Sequence, residues 1–162
     1  MVSLDTYLAD EAATLALGAA LARSLEPGLS VHLKGELGVG KTTLVRGVLR
    51  ELGWKGRVKS PTYALVELYE VSRLSFHHFD FYRFHDPREW SDAGFRESFN
   101  GHTVSLIEWP EKAGDLLPPP DVEIALESSG EGRNVSLRSR SDRGRKCLSL
   151  LAKRYPFTRT SS

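Results

Sequence analysis

The chain has 162 residues, with 22 Lys+Arg against 21 Asp+Glu and a single cysteine, Cys147. That length suits one compact domain and is short for two, so a domain over residues 1–157 is expected, with 158–162 as a mobile tail. One cysteine excludes an intramolecular disulfide, no Cys/His cluster has zinc-ligand spacing, and neither an 18-residue apolar run nor a signal-like N-terminus appears, so a cytoplasmic protein without a membrane span is expected.

In chain order, Asp10 is placed to cap a helix running to about Leu25, with Glu11 in its first turn and Ala12, Leu15, Ala16 and Ala19 as an apolar stripe. Pro27-Gly28 stops it. Ser30 to Lys34 alternates polar and apolar residues and reads as a strand. Residues 35 to 42, Gly-Glu-Leu-Gly-Val-Gly-Lys-Thr, then satisfy the phosphate-loop pattern G-x-x-x-x-G-K-[ST]. Beyond the loop, Leu44/Val45, Val48/Leu49 and Leu52 form one helical stripe that Gly53 ends.

Strand, glycine loop and helix in that order define an anion cradle. The glycines let successive N–H groups face phosphate oxygens, Lys41 adds a positive charge, and the Thr42 hydroxyl is positioned to ligate the magnesium of a nucleoside triphosphate. The helix N-terminus reinforces the site.

Further strands are expected over Tyr63 to Tyr69 and Leu74 to Phe81, close enough to pair as a hairpin, and over Thr103 to Ile107. Short helices are expected around Trp90 and Phe95, after Asp86-Pro87. Val122 to Leu126 and Asn134 to Arg138 alternate with period two and read as an antiparallel hairpin at a sheet edge. Cys147 to Tyr155 fits a last helix. The fold class is α/β: a phosphate-loop NTPase with a central, mainly parallel sheet, antiparallel edge hairpins and helices on both faces.

A triphosphate site needs carboxylates at strand ends beside the loop. Asp80 and Glu108 each end a predicted strand, where open α/β sheets bind ligands. Thr62, after a proline that fixes the backbone, is a candidate γ-phosphate sensor. Trp109 is the tryptophan placed at the site, whereas His77 and His78 point to opposite faces of a strand and neither is assigned to a metal. Residues 131–162 hold nine basic and two acidic side chains, which suits a surface for RNA or an acidic protein as well as it suits a solvated terminal helix.

Four separated motifs carry more than a phosphate loop: Gly35 to Thr43, Val58-Lys59-Ser60-Pro61-Thr62-Tyr63, His78-Phe79-Asp80-Phe81-Tyr82-Arg83 and Ile107-Glu108-Trp109-Pro110. In this order they resemble the bacterial TsaE family. That resemblance implies an ATPase for threonylcarbamoylation of adenosine 37 in tRNAs that read ANN codons, acting with TsaB and TsaD, with tRNA met only within the complex and no part for membrane or DNA. It implies ATP and Mg2+ as ligands, catalytic roles for Lys41, Asp80, Glu108 and Thr62, and metal ligation by Thr42 and Glu108. Nucleotide contacts follow from the run Leu37, Gly38, Val39, Gly40, Lys41, Thr42 and Thr43, joined by Asp80 and Trp109. Glu11, Arg133 and Asn134 resemble the family's adenine-side contacts. A small-molecule kinase on the same fold would need an arginine-bearing lid, which the chain does not show. A GTPase-like switch would need an Asn-Lys-x-Asp signature, which is absent.

Overall fold

A computed structural model describes residues 1–58, 66–71, 74–86, 97 and 99–161. The Lys59 to Tyr63 motif, with Thr62, and the helices expected around Trp90 and Phe95 lie outside the described residues.

The described elements run β1 (Val2–Leu8), α1 (Glu11–Ala22), β2 (Ser30–Lys34), α2 (Lys41–Glu51), β3 (Val66–Val71), β4 (Leu74–Asp80), β5 (Thr103–Glu108), β6 (Val122–Ser129), β7 (Gly132–Ser139), α3 (Asp142–Ala152) and β8 (Thr158–Ser161). The eight strands form one sheet in the order β3-β4-β5-β2-β6-β7-β1-β8. Its centre, β4-β5-β2-β6, is parallel. Antiparallel strands flank it, with β3 on one side and β7, β1 and β8 on the other.

β2 and β5 are buried almost throughout, as central parallel strands covered on both faces must be. β6 and β7 alternate instead: Val122, Ile124, Leu126, Val135 and Leu137 are buried and their neighbours are more open. Two apolar clusters divide the β4–β5 region by strand parity. Phe76, Val104 and Leu106 join the main core with α1 and α2, whereas Phe79 and Ile107 face a second cluster with Phe81, Phe84, Ala113 and Leu117.

Three sequence expectations change. The Val122–Ser139 hairpin does not end the sheet, because β1 pairs with β7 and places two more strands outside it. Residues 158–161, expected to be a mobile tail, pair with β1 from Val2↔Ser161 to Asp5↔Thr158; backbone pairing needs no side-chain pattern, so a short polar strand escapes a periodicity reading. In α1 the buried residues are Thr14, Leu17, Gly18, Leu21 and Ala22, a face rotated from the expected stripe. A Cβ on Gly18 would meet the Leu44 carbonyl at 2.5 Å, and one on Gly47 would meet the Leu15 carbonyl at 2.6 Å. This crossing of α1 and α2 selects the buried face of a helix that is apolar nearly all round.

The basic C-terminal stretch is partly neutralised. Arg140 lies 3.1 Å from Glu123, Arg143 3.4 Å and Lys146 3.9 Å from Glu26, and Arg145 2.7 Å from Asp142. Cys147 is buried, which pushes its thiol up to about 12 and leaves it unreactive at neutral pH.

Candidate active site

A cleft of about 350 Å³ opens where β2, β4 and β5 end and α2 begins. Gly40 is the N-cap of α2 at φ 109, and no side chain caps the helix. A residue with a Cβ is strained at that angle, and the free amides of an uncapped first turn are the donors an anion site uses. Thr42 follows on the first turn and lines the cleft.

Parallel register converges the acids. Asp80 is opposite Glu108 across β4–β5, and Glu108 is opposite Leu33, the residue before the strand's last position, across β5–β2. Two carboxylates far apart in sequence therefore stand side by side next to the loop. Glu108 is buried, and its Oε2 accepts a hydrogen bond from Thr42 Oγ1 at 2.9 Å. The same oxygen lies 2.6 Å from His78 Nε2. Asp80 Oδ1 accepts the Tyr82 N–H at 2.9 Å, which fixes that carboxylate at the strand end.

Lys41 is 4% exposed, its ammonium donating to the Gly35 carbonyl at 2.5 Å and lying 3.9 Å from the centre of the Trp109 ring. Burial holds this ammonium below the ordinary lysine range, against the opposing pull of Glu108, Asp80, Glu111 and Glu36. Trp109 takes φ 57, the one positive value at a non-glycine among the described residues. The bend turns the chain from β5 into the 3-10 turn Pro110–Lys112, and the Trp109 ring sits 5.1 Å from Tyr82.

Of the residues singled out from the sequence, Lys41, Thr42, Asp80, Glu108 and Trp109 line this one cleft. Leu37, Gly38, Gly40 and Thr43 line its loop side, and Glu11 and Arg133 its far wall. Val39 belongs to the loop but buries its side chain in the core. Asn134 does not reach the cleft. It follows Arg133 on β7, so it points to the opposite face and borders a groove with Tyr7 and Ser136. Sequence reading missed Asp10, Thr14 and Glu131, which also line the cleft. Thr14 stands one turn after the cap Asp10, a spacing that could have flagged it; a turn residue such as Glu131 carries no local signal. His78, adjacent to the site through Glu108, is a further residue outside the expected set.

The donors are hard oxygens, Thr42 hydroxyl beside Glu108 carboxylate with Asp80 close by, which suits magnesium rather than a soft-ligand metal. Among the described residues no group of three His, Cys, Asp or Glu side chains is placed to hold a metal ion.

Strand order, glycine loop, uncapped helix and converging acids together define the class, a P-loop α/β fold. The chain belongs to the TsaE family: the family model described as threonylcarbamoyl adenosine biosynthesis protein TsaE matches residues 8–135. It is similar to the tRNA threonylcarbamoyladenosine biosynthesis protein TsaE of Haemophilus influenzae, with 40% identity over 157 residues that cover 94% of this chain and 99% of that one. The Bacillus subtilis protein of the same name is 35% identical over 118 residues, covering 73% of each chain. Among solved structures, the crystal structure of Bacillus subtilis YdiB superposes with a TM-score of 0.82 at 26% identity, covering 95% of this chain and 97% of that one. The chain is thus a member of a family of tRNA threonylcarbamoyladenosine biosynthesis. Among the described residues no helix is long and apolar enough to cross a membrane.

Proposed function

We propose that this protein binds ATP with Mg2+ and hydrolyses it to ADP and phosphate, in support of threonylcarbamoyl modification of adenosine 37 in tRNA, acting in the cytoplasm with TsaB and TsaD. The observation that carries this reading is the contact of Thr42 with Glu108 beside Lys41 and Asp80 in one cleft. Family membership supports the tRNA process, and TsaB and TsaD are the partners such a role implies.

In this reading the α2 amides and Lys41 bind the phosphates. Lys41 exchanges its Gly35 and Trp109 contacts for phosphate oxygens, a trade of a carbonyl dipole and a ring face for full charge. Thr42 and Glu108 would hold Mg2+, which would supply charge neutralisation for the phosphates. Asp80 orients the attacking water and takes its proton, with the Tyr82 amide steadying the carboxylate. Trp109 screens the Lys41 side of the cleft from water. Glu11 and Arg133, which line the cleft, contact the base in this reading, and Thr62 serves as a γ-phosphate sensor.

Calorimetry with ATP·Mg2+ tests this. The wild-type chain is expected to bind ATP in preference to GTP, and Lys41→Ala to weaken binding by about 4 kcal/mol, roughly a thousandfold. Tighter binding of GTP, or undiminished turnover in Lys41→Ala, overturns the reading. Turnover measured with and without TsaB, TsaD and tRNA tests the coupling, for which a rise confined to the full mixture is expected.

A further inference from the structure

We infer that His78 is the positioning residue for the metal-binding carboxylate: its ring fixes Glu108 in the orientation that a divalent cation requires. The inference rests on the metal reading above.

His78 is fully buried at 0% exposure, and Nε2 lies 2.6 Å from Glu108 Oε2. A carboxylate that serves as a metal ligand accepts hydrogen bonds, and the histidine tautomer that can donate to it is the one with its proton on Nε2. Nδ1 is buried with no hydrogen-bond partner, as fits a lone-pair nitrogen; protonating it instead would set two lone pairs against each other at 2.6 Å and strand a buried N–H. Among the described residues Glu108 is thus the one hydrogen-bond partner of this ring. A polar ring at the foot of an apolar strand, next to Phe76 and Leu106, gains less for the fold than an apolar side chain of its size would. What it does provide is a second donor to a carboxylate oxygen already bound by Thr42.

The two donors differ. Thr42 lines the cleft and shares its hydroxyl with the ligand, whereas His78 is not among the cleft-lining residues. When the threonine turns to the metal, the histidine is the donor that ligand binding leaves in place. β4–β5 register accounts for its reach: Asp80 stands opposite Glu108 and His78 opposite Leu106, so the ring meets Glu108 diagonally on the same face. One strand therefore provides a cleft carboxylate at Asp80 and, two residues earlier, the support for its neighbour. Outer hydrogen bonds of this kind set how well a ligand residue is aimed.

The test is Mn2+ titration, read by electron paramagnetic resonance in the presence of ADP, together with ADP affinity measured without metal. His78→Phe fills the ring's space but removes the donor; His78→Gln retains an N–H. Expected is an Mn2+ dissociation constant about tenfold higher in His78→Phe, partial recovery in His78→Gln, and metal-free ADP affinity unchanged in both. Wild-type Mn2+ affinity in both variants overturns the positioning role alone. So does a parallel loss of Mn2+ and metal-free ADP binding in both, since that reads a collapsed cleft. A wild-type chain that binds ADP but no Mn2+ overturns the metal reading itself.

Discussion

Two carboxylates at opposite ends of the sheet each collect two hydrogen bonds, and the contrast between them separates function from fold. Asp121, just before β6, accepts from the Ser30 N–H at 2.8 Å and from the Ser141 hydroxyl at 2.6 Å. Ser141 is the N-cap of α3, and the Asp121 backbone bonds Ser30 and Arg140 on either side. Every partner is a piece of scaffold, so the carboxylate ties β2, β6 and α3 together. Glu108, at the other end, accepts from a threonine that lines a cleft and from a histidine whose other ring nitrogen has no hydrogen-bond partner. A carboxylate whose donors are backbone and caps is used up by folding; one whose donor faces a cavity remains available to a ligand.

The sharpest way to break this contrast is to neutralise each acid in turn. Glu108→Gln is expected to lower ATP turnover by roughly a hundredfold to a thousandfold, with denaturant stability changed by less than about 1 kcal/mol. A large stability loss with modest kinetic change would make Glu108 another scaffold acid. Next in size is His32, on the sheet face opposite His78 and Glu108, where Nε2 has no partner. Burial pulls its imidazole down from 6.5 to about 4, with Glu123 opposing the shift and Lys34 adding to it. Below pH 6.5 the unfolded chain takes up a proton that the folded chain refuses, so stability falls as pH drops toward 4, by roughly 3 kcal/mol in all. Above pH 6.5 His32 contributes nothing to the pH dependence. His32→Leu is therefore expected to flatten urea midpoints between pH 6.5 and 4, and an unchanged slope would show that His32 is charged in the folded protein.

The smallest effect is expected at the other acid. Asp121→Ala leaves the Ser30 amide and the α3 cap without their acceptor and should cost about 2 kcal/mol in chemical denaturation, while ATP affinity in calorimetry stays within twofold. Loss of nucleotide binding in a variant that remains folded would erase the distinction between the two ends.

Local, contiguous chemistry was legible in the amino-acid order. The loop Gly35 to Thr42, the cap Asp10, the β2 strand and the apolar stripe of α2 each depend on residues within a few positions of one another, so spacing alone reveals them. Strand-ending acids were visible too, as candidates, because an acidic residue after an apolar run marks the ligand end of an α/β sheet. Tertiary structure decided what depends on partners distant in sequence. Parallel register made neighbours of Asp80 and Glu108 and brought His78 to the latter. A glycine crossing between α1 and α2 chose which side of an all-apolar helix is buried. The alternation of β7 sent Arg133 into the cleft and Asn134 away from it. Pairing with β7 gave β1 its place and, through it, β8. Hydrogen bonds between strands and the close approach of helices are made after the chain has folded back on itself, and no window of sequence contains both halves of them.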